Sequence, residues 1–123
     1  MSKIYYNKLV RDKTKEVIEA KGASCEVRTV IDDNEFQQEL LKKVMEEARA
    51  FAYARTPQEL LEEYADMLVL LDTLMVQFGI SEEEIKKALE LNIEVKGLYN
   101  KRHFLHWSDD DKYESRESPQ GLS

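Results

Sequence analysis

Two acidic motifs hold the residues best suited to chemistry. Glu63 and Asp66 stand three apart at the entrance to the apolar stretch 65–71. On a helix, that spacing places both on one face. Glu46 and Glu47 lie inside a second apolar segment. If the two segments form an antiparallel hairpin, Glu47 approaches Glu63 and Asp66. Buried carboxylates are costly unless they are paired or hold a metal. Three converging on one point call for a cation. Hard divalent ions such as Mg²⁺ prefer all-oxygen sites and keep waters that phosphate oxygens can displace. On spacing alone a plainer reading is stronger: Glu47 and Glu63 are solvated charges, and Asp66 makes a local bridge or cap.

The elements that must position these residues read as four helices. The first is expected over 12–21, stopping at Gly22. The second starts after Asp32-Asp33 and runs to about Arg55. Asp32 and Glu35 have capping-box spacing, and Phe36, Leu40, Leu41, Val44, Met45, Ala48 and Phe51 form an apolar stripe. The third has the clearest start, with Thr56 as N-cap, Pro57 at the first helical position and Glu59 at the third. It ends at Phe78 before Gly79, and its apolar middle marks a central, buried helix. The fourth starts at Ser81, with Glu84 completing a capping box, and runs to Lys96 or beyond. Short loops make consecutive helices antiparallel. Two segments, 25–30 and 102–107, alternate enough to form short strands, which could pair with each other.

Composition supports this layout and narrows the function. The chain has 123 residues, enough for one domain, with 35% charged residues and only 4 glycines and 2 prolines. Net charge is -7 without a basic stripe, which argues against a nucleic-acid partner. A small anionic ligand remains compatible, because it needs only local cations or a metal. The lone cysteine, Cys25, fits a reducing compartment. No signal-peptide pattern opens the chain, and the longest apolar run, 67–71, is too short to span a bilayer. The expectation is a cytoplasmic protein with no membrane partner. The polar segment 108–123 is expected to be a mobile tail on a 1–107 helical domain.

Several of these segments resemble one family when read in order. The run 6–13 (Tyr-Asn-Lys-Leu-Val-Arg-Asp-Lys) is similar to the opening of small MazG-like proteins, relatives of phosphoribosyl-ATP pyrophosphohydrolase. The run 41–48 (Leu-Lys-Lys-Val-Met-Glu-Glu-Ala) resembles their first metal-binding helix. The run 62–68 (Glu-Glu-Tyr-Ala-Asp-Met-Leu) resembles the second, where the family carries E-x-x-D. Asn92, Lys96 and Lys101-Arg102 are similar to the basic end of the fourth helix. The similarity spans about residues 5–107.

The resemblance implies an all-α, four-helix bundle-like nucleoside triphosphate pyrophosphohydrolase of the house-cleaning type. Such an enzyme uses Mg²⁺, with Mn²⁺ a possible substitute, and works as a homodimer or homotetramer. Glu47, Glu63 and Asp66 would hold metal, and Glu46 or Glu47 would act as base. Lys8, Arg11, Lys13, Lys96, Lys101 and Arg102 become candidates for phosphate contacts, against the alternative of solvated basic turns. Asn92 would reach base, sugar or metal-bound water. The family's first helix carries E-x-x-E, and here Ala50 stands at the second glutamate. Water or Glu46 could fill that place. The alternative is a nucleotide-binding or regulatory protein whose chemistry is impaired, and a helical interaction module is a third reading. His103 and His106 would point to opposite faces of a strand and read as structural.

Overall fold

The computed structural model describes residues 2–110. They form four α-helices: α1 (Thr14–Ala20), α2 (Asp33–Ala52), α3 (Pro57–Gln77) and α4 (Glu82–Lys96). The fold class is all-α. Among the described residues neither 25–30 nor 102–107 forms a strand. Alternation supplies a face, but a strand exists only through ladder bonds to a neighbour, and neither segment has one. Arg102 also has a φ of 55°, outside the extended region, and its N–H turns back to the Tyr99 carbonyl at 2.9 Å. The expected tail lies, from residue 111 onward, outside the described residues.

The helix boundaries follow from local bonding. The Asp32 carboxylate accepts the Glu35 N–H at 2.8 Å, and the Thr56 hydroxyl accepts the Glu59 N–H at 3.1 Å. Ser81 does the same for Glu84 at 3.1 Å. Each satisfies one of the N–H groups that a helix start leaves orphaned. At the other ends, α1 and α3 close on Gly22 (φ 82°) and Gly79 (φ 70°). The Ala23 N–H reaches Ile18 O and the Ile80 N–H reaches Met75 O, the six-to-one bonds of a Schellman close. Helix α1 is shorter than expected and buries nothing. Helix α2 stops at Ala52 rather than Arg55 because the start of α3 claims the linker. Thr56, forced out of helical geometry before Pro57, is extended, and the Glu59 carboxylate accepts the Arg55 N–H at 2.8 Å.

The chain divides into two compact units, residues 1–85 and 86–123. The first is organised around the α2–α3 hairpin. Leu40 of α2 packs with Leu70 and Leu74 of α3, and these three are the buried core among the described residues. Leu9, Phe36, Val44 and Met75 pack around them. Residue 40 lies beside 70 and 74 while residue 47 lies beside 63 and 66, so the helices run antiparallel. Through its contact with this core, Leu9 fastens the segment before α1 to the hairpin.

Much of the predicted apolar surface stays open in the single chain. Leu41 is 50% exposed and Met45 74%, so the α2 stripe is wider than the face that α3 covers. On α3, Leu61, Leu68, Val69 and Val76 are exposed, so this helix is less enclosed than its composition suggests. Helix α4 has no buried residue, and in the second unit the Phe104 and His106 rings meet edge-on at 5.3 Å. No single helix among the described residues is long and apolar enough to cross a membrane.

Candidate metal centre

The site is built where α2 and α3 face each other, two turns from the core. Leu40 and Glu47 are seven residues apart on α2, close to two helical turns, so packing Leu40 inward carries Glu47 to the same face. On α3, Leu70 is seven beyond Glu63 and four beyond Asp66, with the same result. The core leucines thus aim three carboxylates at one another. One oxygen from each of Glu47, Glu63 and Asp66 falls within 4.8 Å of the others, a separation a single cation can bridge. Among the described residues no other cluster of metal-ligating side chains has this form.

The electrostatics are those of a crowded anionic site. The Glu47 side chain is 18% exposed, while Asp66 is 48% exposed. Burial pushes the Glu47 carboxyl above the usual glutamate range. Asp66, Glu63 and Glu46 push it the same way, and Lys43 opposes them. A donor set made only of carboxylate oxygens, one of them resisting ionisation because it is buried, suits a hard divalent cation.

Among the described residues, Arg11, Lys8 and Lys43 bring cations to the site. Arg11 Nη1 lies 3.5 Å from Asp66 Oδ1. Lys8 Nζ donates to Glu46 Oε1 and sits 5.7 Å from the centre of the Tyr6 ring. Lys43 Nζ is 3.0 Å from Glu46 Oε2 and 3.9 Å from Glu47 Oε1. Glu46 is therefore bound at both oxygens. Its two ammonium partners hold its carboxyl below the usual range, despite an opposing burial effect.

The structure brings together Lys8, Arg11, Glu46, Glu47, Glu63 and Asp66. Lys13 serves at the start of α1, where its carbonyl accepts the Val17 N–H at 3.1 Å. Asn92 and Lys96 lie on α4, and Lys101 and Arg102 come after it, all within the second unit. Ala50 is on the Glu47 face of α2, one turn on. Lys43 was not singled out by the sequence reading. Its signal was its place three and four residues before Glu46 and Glu47, the spacing of helical ion pairs.

Residues 19–92 match the sequence model of the family described as phosphoribosyl-ATP pyrophosphohydrolase. The chain belongs to the phosphoribosyl-ATP pyrophosphohydrolase family. The match takes in Glu46, Glu47, Ala50, Glu63, Asp66 and Asn92; Lys8, Arg11, Lys13, Lys96, Lys101 and Arg102 fall outside it. Family membership points to a pyrophosphohydrolase-type activity on a nucleotide. No curated protein matches the chain, and no solved structure does.

Proposed function

We propose that this protein is a metal-dependent nucleoside triphosphate pyrophosphohydrolase, converting a triphosphate and water to a monophosphate and pyrophosphate. The observation that carries the reading is the convergence of Glu47, Glu63 and Asp66 within 4.8 Å, inside the segment that matches the family. These three would hold Mg²⁺, or Mn²⁺ in its place. When bound, the ion supplies charge neutralisation at phosphate oxygens and acidifies water.

The chain's own residues divide the remaining work. Arg11 and Lys8 stand beside the carboxylates and can take phosphate oxygens, Arg11 through its planar fork. Lys13, Asn92, Lys96, Lys101 and Arg102 are further candidates for substrate contact. The candidate bases are Glu46 and Glu47, of which Glu47 would also hold the metal while Glu46 is hydrogen-bonded to Lys8 and Lys43.

The working form is a homodimer or homotetramer. Leu41, Met45, Leu61, Leu68, Val69 and Val76 are exposed apolar side chains on the hairpin, and a second copy would cover them. Ala50 supports a second reading. The site has three carboxylates where the family resemblance implies four, which suits a protein that binds a nucleotide without turning it over.

Pyrophosphate release separates the two. The panel is canonical, deoxy and damaged nucleoside triphosphates, each with Mg²⁺, with Mn²⁺ and with chelator. Release that chelator abolishes supports the enzyme. Nucleotide-induced thermal stabilisation with no release under any condition supports the binding protein.

A further inference from the structure

Lys43 behaves unlike the other cations in the first unit. Lysines on helices usually carry the ammonium out to water. Lys42, one residue earlier, does so and pairs with Glu39 while 73% exposed. The Lys8, Arg11 and Arg28 side chains are 38%, 62% and 69% exposed. Lys43 is only 16% exposed, and its ammonium lies between Glu46 at 3.0 Å and Glu47 at 3.9 Å. A charge held there gives up hydration that surface water would have provided, so its carboxylate partners must replace it.

We propose that Lys43 is a positioning residue of the carboxylate site, a resident ammonium that keeps Glu46 out of the cluster and steadies Glu47 within it. The proposal rests on the metal-site reading and assigns a role that reading leaves open. Glu46 is held at both oxygens, by Lys8 and by Lys43. Joining the cluster would cost it two charge-assisted hydrogen bonds, so it does not replace the carboxylate missing at Ala50. The other charged neighbours of Glu47 are Glu46, Glu63 and Asp66, all anionic. The nearby ammonium is what lets the three carboxylates stay together before any metal arrives. An entering divalent cation is repelled by it, so Lys43 trades some metal affinity for a preformed site.

That trade gives the test its sign. Mn²⁺ binding to the full chain without nucleotide is followed by electron paramagnetic resonance, and heat stability is read in chelator. Lys43→Gln should melt lower in chelator yet bind Mn²⁺ roughly three- to tenfold more tightly, the size expected of one screened charge interaction. Lys43→Arg, which keeps the charge, should return both readings towards wild type. Glu46→Gln should weaken Mn²⁺ binding, because the ammonium then turns wholly to Glu47. Should Lys43→Gln fail to fold, the Glu46→Gln result decides. A purely structural lysine would lose stability and metal affinity together in Lys43→Gln, and that outcome overturns the proposal. Unchanged affinity in Glu46→Gln overturns it as well. Wild-type protein that bound no Mn²⁺ would instead overturn the metal-site reading, and this proposal with it.

Discussion

Glu47 is the residue at which burial and charge conflict most. Burial raises its carboxyl in the folded protein, and three carboxylates add to the effect. Folding therefore takes up protons between the ordinary glutamate value and the raised one. The stability this contributes is present below the ordinary value and is lost as pH rises through the folded value. In chelator near neutral pH, Glu47→Gln should thus melt higher than wild type, with the gap closing as pH falls towards 4.5. Superimposable melting profiles at every pH would show that this carboxyl is fully hydrated. Ala50 is the complementary position. Ala50→Glu restores a carboxylate one turn from Glu47 and should tighten Mg²⁺ binding by about tenfold, measured by calorimetry; unchanged affinity would mean the α2 register is wrong. Glu47, Glu63 and Asp66 were legible in the sequence because helical spacing and a short-looped hairpin fix their relation. The Arg11–Asp66 pair was not, since it depends on Leu9 packing against a core formed from residues far along the chain.

At the scale of elements, what was legible was local. The starts of α2, α3 and α4 could be read because Asp32, Thr56 and Ser81 each cap through a side chain three residues from its partner. Gly22 and Gly79 marked two ends for the same reason. The end of α2 was misread by three residues, because 53–56 serve the start of α3 and carry no stop signal of their own. The two expected strands failed because pairing is decided by what lies alongside, which alternation cannot say. Thr56 orders both the linker and the first turn of the helix that carries Glu63 and Asp66. Thr56→Ala should lower stability by about 1 kcal/mol, read by urea unfolding. A loss near zero would show that Pro57 and Glu59 suffice to start α3.

At the scale of the molecule, three buried leucines make a small core among the described residues, and long apolar side chains remain open on both hairpin helices. Composition had predicted an enclosed α3, and a single chain does not enclose it. Val76 is 79% exposed and borders a shallow apolar groove with Val69, Asp72, Thr73 and Gln77. Val76→Asp would bury an unpaired charge in any interface on this face, and should weaken self-association on the order of a hundredfold in sedimentation experiments. An unchanged association state would place the interface elsewhere. On the proposed function, hydrolysis depends on a metal that Glu47, Glu63 and Asp66 would hold. The most direct measurement is pyrophosphate release by Glu63→Gln and Asp66→Asn, each folded as judged by circular dichroism, beside wild type with Mg²⁺. Chelator-sensitive release by wild type, and a fall of at least about a hundredfold in both variants, is the predicted result. Variants that keep wild-type release would place the chemistry away from the cluster.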